Sequence, residues 1–133
     1  MKSIRLIKFD YYKEINGDLV VAEGPSDNMP FSITRIFNVR AEKGATRGRH
    51  AHRECTQLLI CTNGIVKVTC DDGKQTSTYI LDKVNHGLLI GPGIWAEQKY
   101  MKENTVLTVL CSLPYNEDDY IRDYKIFLKY KGV

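Results

Sequence analysis

Two of the chain's three histidines fall at alternate positions in His50-Ala51-His52. They lie within the segment Gly44-Ala45-Thr46-Arg47-Gly48-Arg49-His50-Ala51-His52. In an extended segment alternate residues share a face, so both imidazoles point the same way. Imidazole exchanges protons near neutral pH and is also the commonest protein ligand for metals. The pair is therefore an acid–base site or one edge of a metal centre; the bland alternative is two solvated strand residues. The neighbours of the pair decide between these.

The rest of the chain limits the setting. At 133 residues it is read as one domain, residues 1–133, long enough to bury a continuous core. Hydrophobic residues make up 43% and charged residues 26%, as in ordinary globular proteins. The net charge of +3, from 19 basic and 16 acidic residues, is too small and mixed for a nucleic-acid surface. A basic pocket for a phosphorylated ligand remains compatible with it. No apolar run approaches the ~20 residues of a membrane helix. Charges interrupt Met1 to Asp10, so the uninterrupted apolar core of a secretory signal is lacking. Cys55, Cys61, Cys70 and Cys111 show no CxxC or zinc-type spacing and read as reduced thiols of a cytoplasmic protein.

The elements that must position the histidines are short β-type runs separated by turn signals. Ile4 to Phe9 alternates and is expected to turn through Asn16-Gly17-Asp18 into Leu19 to Val21. Phe31 to Val39 alternates with Phe31, Ile33, Arg35, Phe37 and Val39 on one face. Gln57 to Thr62 and Ile65 to Cys70 flank Asn63-Gly64, a strong hairpin signal. Asp71-Asp72-Gly73 turns into Gln75 to Leu81, and Gly87 to Ile90, Trp95 to Tyr100 and Thr105 to Cys111 complete the strands. Short, evenly spaced strands of this kind predict an all-β antiparallel sandwich or barrel. A C-terminal amphipathic helix is expected from Asn116 as N-cap, with Glu117, Asp118 and Asp119 in its first turn. Tyr120, Ile121, Tyr124, Phe127 and Leu128 recur at helical spacing behind that cap.

Read by spacing, the centre is Gly44, five residues, His50-x-His52, four residues, Gln57, six residues and Gly64. This resembles the first motif of the cupin superfamily, with Gln57 where the family usually has glutamate. The second motif resembles Gly87-Leu88-Leu89-Ile90-Gly91-Pro92-Gly93, but Ala96 and Glu97 stand where its histidine is expected. Two histidines and a neutral amide attract a divalent cation weakly; a 2-His-1-carboxylate set would need Glu97. The reading is a site without a metal.

Within the cupins, Arg47-Gly48-Arg49-His50-Ala51-His52, Pro30 to Ile36, Gln57 to Gly64 and Tyr115 to Tyr124 resemble the sugar-nucleotide 3,4-ketoisomerases. That resemblance implies a cupin jelly roll with a short C-terminal helix. It implies action on a dTDP-linked 4-keto-6-deoxy sugar, whose keto group moves from C4 to C3 in making 3-amino-deoxysugars. It also implies a homodimer with an exchanged N-terminal strand. Some members carry Trp-His-Glu where this chain has Trp95-Ala96-Glu97; if that histidine moves protons in them, another group, such as Gln98 or water, must substitute here.

Such an isomerisation needs a base for the C3 proton, stabilisation of an enediolate, and proton return at C4. It requires no redox cofactor, and the chain has no dinucleotide-binding glycine pattern. His50 and His52 are the expected acid–base pair, with their division of labour open. Arg35 and Arg47 are candidates for the diphosphate, since guanidinium forks suit phosphate oxygens. Gln57 would bind a substrate hydroxyl or orient a histidine, and Trp95 would stack on sugar or base unless it serves the core. Arg122 reaches the nucleotide or pairs with Asp118 or Asp119 along the helix. His86 is read as exposed and inert, and Tyr115 as structural. The competing readings are a non-catalytic sugar-nucleotide-binding cupin, a metal-dependent cupin enzyme and a 3,5-epimerase. For the last, no histidine–carboxylate dyad with a tyrosine acid is visible in the sequence.

Overall fold

The computed structural model describes residues 3–133; Met1 and Lys2, which open the N-terminal stretch and the 1–133 reading, lie outside the described residues. In chain order the elements are β1 (Ile4–Lys8), β2 (Asp10–Glu14), β3 (Gly17–Val21), β4 (Arg35–Arg40), β5 (Thr46–His52) and β6 (Gln57–Asn63). They continue with β7 (Val66–Asp71), β8 (Thr76–Leu81), β9 (His86–Ile90), β10 (Trp95–Tyr100), β11 (Val106–Cys111), β12 (Tyr120–Ile121) and the helix α1 (Tyr124–Tyr130).

Two five-stranded antiparallel sheets face each other, in the orders β1-β9-β6-β11-β4 and β12-β5-β10-β7-β8. Between them lie Leu59, Cys61, Val66, Val68, Leu88, Tyr100, Leu107 and Val109. The first sheet is covered on its outer side too, by Phe9 and Met29 over Leu58, Ile60 and Leu110. Leu58, Leu59, Ile60 and Cys61 of β6 are accordingly all buried, because both faces of that central strand are apolar. On the outer side of the second sheet, Ala51, Trp95 and Ile121 pack on Phe127 of α1. The expected all-β jelly roll with one short C-terminal helix is what forms. Among the described residues no helix is long and apolar enough to cross a membrane.

Four local expectations need correction. Asn63-Gly64 does not close a hairpin: β6 pairs with β9 and β11, while β7 pairs with β8 and β10 in the other sheet. Gly64 turns the corner between sheets at φ +90°, where a Cβ would lie 2.2 Å from Thr105 Oγ1. The partner of β3 is β2, through a two-residue loop at Ile15-Asn16, whereas β1 pairs with β9. The strand expected over Phe31 to Val39 begins only at Arg35; Phe31 packs on the outer cluster while Phe37 and Val39 face the core between the sheets.

The tail departs most. Asn116 caps a single 3-10 turn, Glu117–Asp119, and the helix starts at Tyr124 behind the cap Asp123, whose carboxylate accepts the Ile126 N–H at 3.0 Å. Between them Tyr120 pairs with His52 and Ile121 with Ala51. The edge of β5 claims these two residues for a ladder, overriding their helical spacing.

Candidate active site

The catalytic-looking segment is β5, and a bulge sets what it presents. Across β10, Gln98 pairs with Arg47, Glu97 with Gly48 and Ala96 with His50, leaving Arg49 as the extra residue. Gly48 takes φ +83° and Arg49 φ +60° to make this kink. Without it, strict alternation would send Arg47 to the face opposite His50 and His52. With it, Arg47, Gln98 and His50 line one cavity of ≈ 260 Å³ between the sheets. Glycine is required at 48, where a Cβ would lie 2.3 Å from Gln98 Oε1.

Arg35, Gln57 and Arg122 line the same cavity. Arg35 is clamped, its guanidinium 4.6 Å from the Phe37 ring centroid and 5.1 Å from that of Tyr115, and it donates to the Tyr120 hydroxyl at 3.3 Å. Arg122 lies 4.3 Å over the Tyr120 ring and holds Glu117 through Nε at 2.5 Å and Nη2 at 2.9 Å. It pairs with neither Asp118 nor Asp119, because there is no helix at that point to bring them together. Gln57 is buried and donates to Cys111 Sγ at 3.5 Å.

His50 faces the cavity, and His52 stands beside it with ring centroids 5.0 Å apart at 88°. His52 Nδ1 lies 2.8 Å from Asp119 Oδ2. A carboxylate only accepts, so Nδ1 carries the proton and Nε2 is left as the basic nitrogen. That Nε2 and His50 Nδ1 are buried with no hydrogen-bond partner among the described residues. Unpaired buried nitrogens are costly and uncommon away from functional sites. Burial, reinforced by the charge of neighbouring His52, pushes His50 down to about 4, so its imidazole is neutral near pH 7. Burial works to raise Asp119, but the bonds from His52 and from the N–H groups of Glu54 (2.7 Å) and Cys55 (3.4 Å) carry it below its ordinary value.

Trp95 is not part of this cavity, which corrects its reading as a stacking residue. As a neighbour of inward-facing Ala96 it points outward, where its ring meets Tyr124 at 5.2 Å and Phe127 at 5.7 Å. Its Nε1 donates to Glu97 Oε2 at 3.1 Å. Glu97 thus lies on the outer face with Trp95 and lines a groove there, away from both histidines. The donor set at the cupin metal position is consequently two histidines and an amide already bonded to sulfur, which does not fit a resident divalent cation. His52, Cys55 and Asp119 do bring donor atoms within 4.8 Å of one another. There the imidazole and carboxylate satisfy each other, and the Cys55 thiol donates to Thr56 O at 3.5 Å.

Three residues of the site were not identified from the sequence: Asp119, Tyr120 and Tyr115. Tyr115 and Tyr120 line the cavity, and Asp119 supplies the dyad that the sequence did not reveal. The helix expected behind Asn116 conceals Asp119 and Tyr120, and Tyr115, just ahead of it, reads as structural. His86 opens β9 opposite Lys8 and does not line the cavity.

The family described as FdtA: WxcM-like, C-terminal matches residues 2–132. The chain is 39% identical over 127 residues to the TDP-4-oxo-6-deoxy-alpha-D-glucose-3,4-oxoisomerase of Aneurinibacillus thermoaerophilus, covering 95% of this chain and 91% of that protein. It is similar to the 3,4-ketoisomerase QdtA of Thermoanaerobacterium thermosaccharolyticum, solved as a mutant in complex with TDP-4-keto-6-deoxyglucose. That match has a TM-score of 0.94 at 35% identity over 98% of this chain and 95% of the other. A 3,4-ketoisomerase from Helicobacter canadensis gives a TM-score of 0.92 at 34% identity over 98% of both chains. A family match over nearly the whole chain, together with that degree of identity, shows that the chain belongs to the FdtA-like family of cupin sugar-nucleotide 3,4-ketoisomerases.

Proposed function

We propose that this chain converts TDP-4-keto-6-deoxyglucose to its 3-keto isomer by acid–base catalysis through an enediolate. The observation that carries the reading is the meeting of neutral His50 and three arginines, Arg35, Arg47 and Arg122, in one cavity. His50, at the cavity wall, takes the C3 proton, which the adjacent ketone acidifies. His52, its Nδ1 held by Asp119, relays the proton between O3 and O4. The cavity takes the hexose ring, and Arg47 and Arg122, both exposed at its rim, meet the diphosphate. Gln57 and Gln98 contact sugar hydroxyls. Neither a redox cofactor nor a metal is needed for these proton transfers.

Residues 1–133 work as one cupin domain, and we place it in the cytoplasm on the strength of four free cysteines. The partner is a second copy of this chain. The β2–β3 hairpin belongs to neither large sheet and exposes Tyr12, Ile15 and Leu19, and a lone hairpin is marginal in water. It is the segment we expect to be exchanged, since β1 is paired within its own sheet. Light scattering on the eluting protein should give twice the chain mass.

The decisive experiment is incubation with TDP-4-keto-6-deoxyglucose, followed by NMR of the sugar carbons. A 3-keto product is expected, and its stereochemistry at C4 separates galacto from gluco configuration. In D2O, His50→Asn should abolish deuterium entry at C3, while His52→Asn should spare that exchange and lose isomerisation by ~100-fold or more. Unchanged substrate with wild-type protein would leave a non-catalytic sugar-nucleotide binder. Inversion at C3 or C5 without keto transfer would mean an epimerase.

A further inference from the structure

Tyr120 enters the cavity only because β12 exists. Its pairing with His52 puts the phenol on the imidazole side of the sheet, while Ile121, opposite Ala51, goes to the Trp95 side. The ring is held by His52 at 4.4 Å, His50 at 5.0 Å and the Arg122 guanidinium at 4.3 Å. So confined, it has one useful degree of freedom left, the rotation of its hydroxyl hydrogen.

The direction of the bond at that hydroxyl matters. Arg35 Nη1 lies 3.3 Å from the phenolic oxygen, and a guanidinium can only donate. The contact therefore occupies a lone pair of the oxygen and leaves the hydroxyl hydrogen uncommitted, with no acceptor among the described residues. Arg35 cannot swing away readily, being stacked between Phe37 and Tyr115. A phenol whose oxygen faces a fixed cation is a stronger donor, because the cation stabilises the charge that donation leaves behind.

We propose that Tyr120 is a catalytic residue: the hydroxyl hydrogen freed by Arg35 donates to the sugar oxygen that becomes the enediolate oxyanion. This rests on the ketoisomerase reading. When the base takes the C3 proton, the C3–H electron pair forms the C3=C4 bond and the C4=O π pair moves onto O4. Tyr120 donates to O4 as that charge develops. O3 then gives its proton through His52 to O4, the C3=O bond forms, the C3=C4 pair takes at C4 the proton held by His50, and the Tyr120 hydrogen bond relaxes. No atom or electron is gained overall. Arg35 acts through Tyr120 as a positioning residue rather than on the diphosphate.

The test is Tyr120→Phe, which keeps the ring and deletes the hydroxyl. TDP binding, measured by calorimetry, should stay within about twofold, while the loss of one oxyanion donor should lower kcat by about 10²–10³. Deuterium entry at C3 in D2O should fall by the same factor, because the donor is needed to form the enediolate. Isomerisation within tenfold of wild type overturns the proposal. So does wild-type exchange at C3 with isomerisation lost, which would make Tyr120 a late proton carrier. Should Tyr120→Phe fail to bind TDP, 3-fluorotyrosine introduced at position 120 decides. A basic limb of the kcat profile moved to lower pH supports the role, and an unmoved limb overturns it. If wild-type protein itself makes no 3-keto product, the isomerase reading falls and Tyr120's role with it.

Discussion

His50 gives the most quantitative test of the site, because a buried neutral imidazole has a calculable effect on stability. In the folded chain its value is lowered from 6.5 to about 4, first by burial and then by the charge of His52. The unfolded chain therefore binds more protons between those values. Stability contributed by the neutral ring is complete above about pH 6.5 and is lost as pH falls toward 4. The full shift corresponds to about 3 kcal/mol, of which about 2 kcal/mol should be gone by pH 4.5. The perturbation is His50→Asn, which removes the titrating group and keeps a polar side chain of similar reach. Urea unfolding of both proteins at pH 7 and pH 4.5 separates this group from the carboxylates, whose protonation is common to both. The wild type should lose about 1 M more in midpoint than the variant over that interval, given a slope of about 1–3 kcal/mol/M. Parallel losses in the two proteins would refute a depressed His50, and with it the claim that burial keeps the base neutral.

Four further outcomes follow from the geometry. Asp119→Asn removes the acceptor that fixes Nδ1–H on His52 and should lower kcat by about 10²-fold with KM little changed, read by steady-state kinetics. Gly48→Ala places a Cβ against Gln98 at φ +83° and should cost about 1–3 kcal/mol in urea unfolding, with weakened TDP binding as Arg47 is displaced. Dialysis against a strong chelator should leave turnover unchanged, because Glu97 lies on the outer face and Gln57 is bonded to Cys111; loss of activity restored by one added metal would contradict the donor-set reading. Trp95→Phe should leave KM within about twofold while lowering stability by about 1–2 kcal/mol, and the fluorescence of this single tryptophan should not respond to TDP.

How much of this was legible in the sequence depended on the range of the signal. Alternation located the core strands, and the HxH spacing with its flanking glycines located the proton-handling pair, because both are local properties of an extended chain. Strand partnership is not local. Asn63-Gly64 has hairpin chemistry, yet the two strands it joins lie in different sheets, since Gly64 must clear Thr105 across the barrel corner. Parity failed in the same way at Arg47, whose place beside His50 depends on a bulge that only pairing with β10 reveals. Residues 119–122 were the costliest loss. Their helical phase is real for Ile121 and Phe127, which do meet beneath Trp95, but it gave no hint that the edge of β5 would draw Asp119 and Tyr120 into the site. Trp95 failed for a simpler reason: one residue along a strand reverses the face.

The two-residue strand β12 also has a consequence for the order in which the protein comes into being. Every strand of the two large sheets except β12 has been synthesised once Cys111 is made, and the core between the sheets draws only on residues up to that point. A nascent chain of that length holds what it needs to collapse into a barrel, with both histidines in place. It still lacks the carboxylate behind His52, the phenol between the imidazoles and the cation above it, which arrive together in Asp119, Tyr120 and Arg122. The core of the barrel and the completion of its site thus draw on separate stretches of the chain. A chain cut after Cys111 would keep every residue of the core between the sheets and lose all three of these groups.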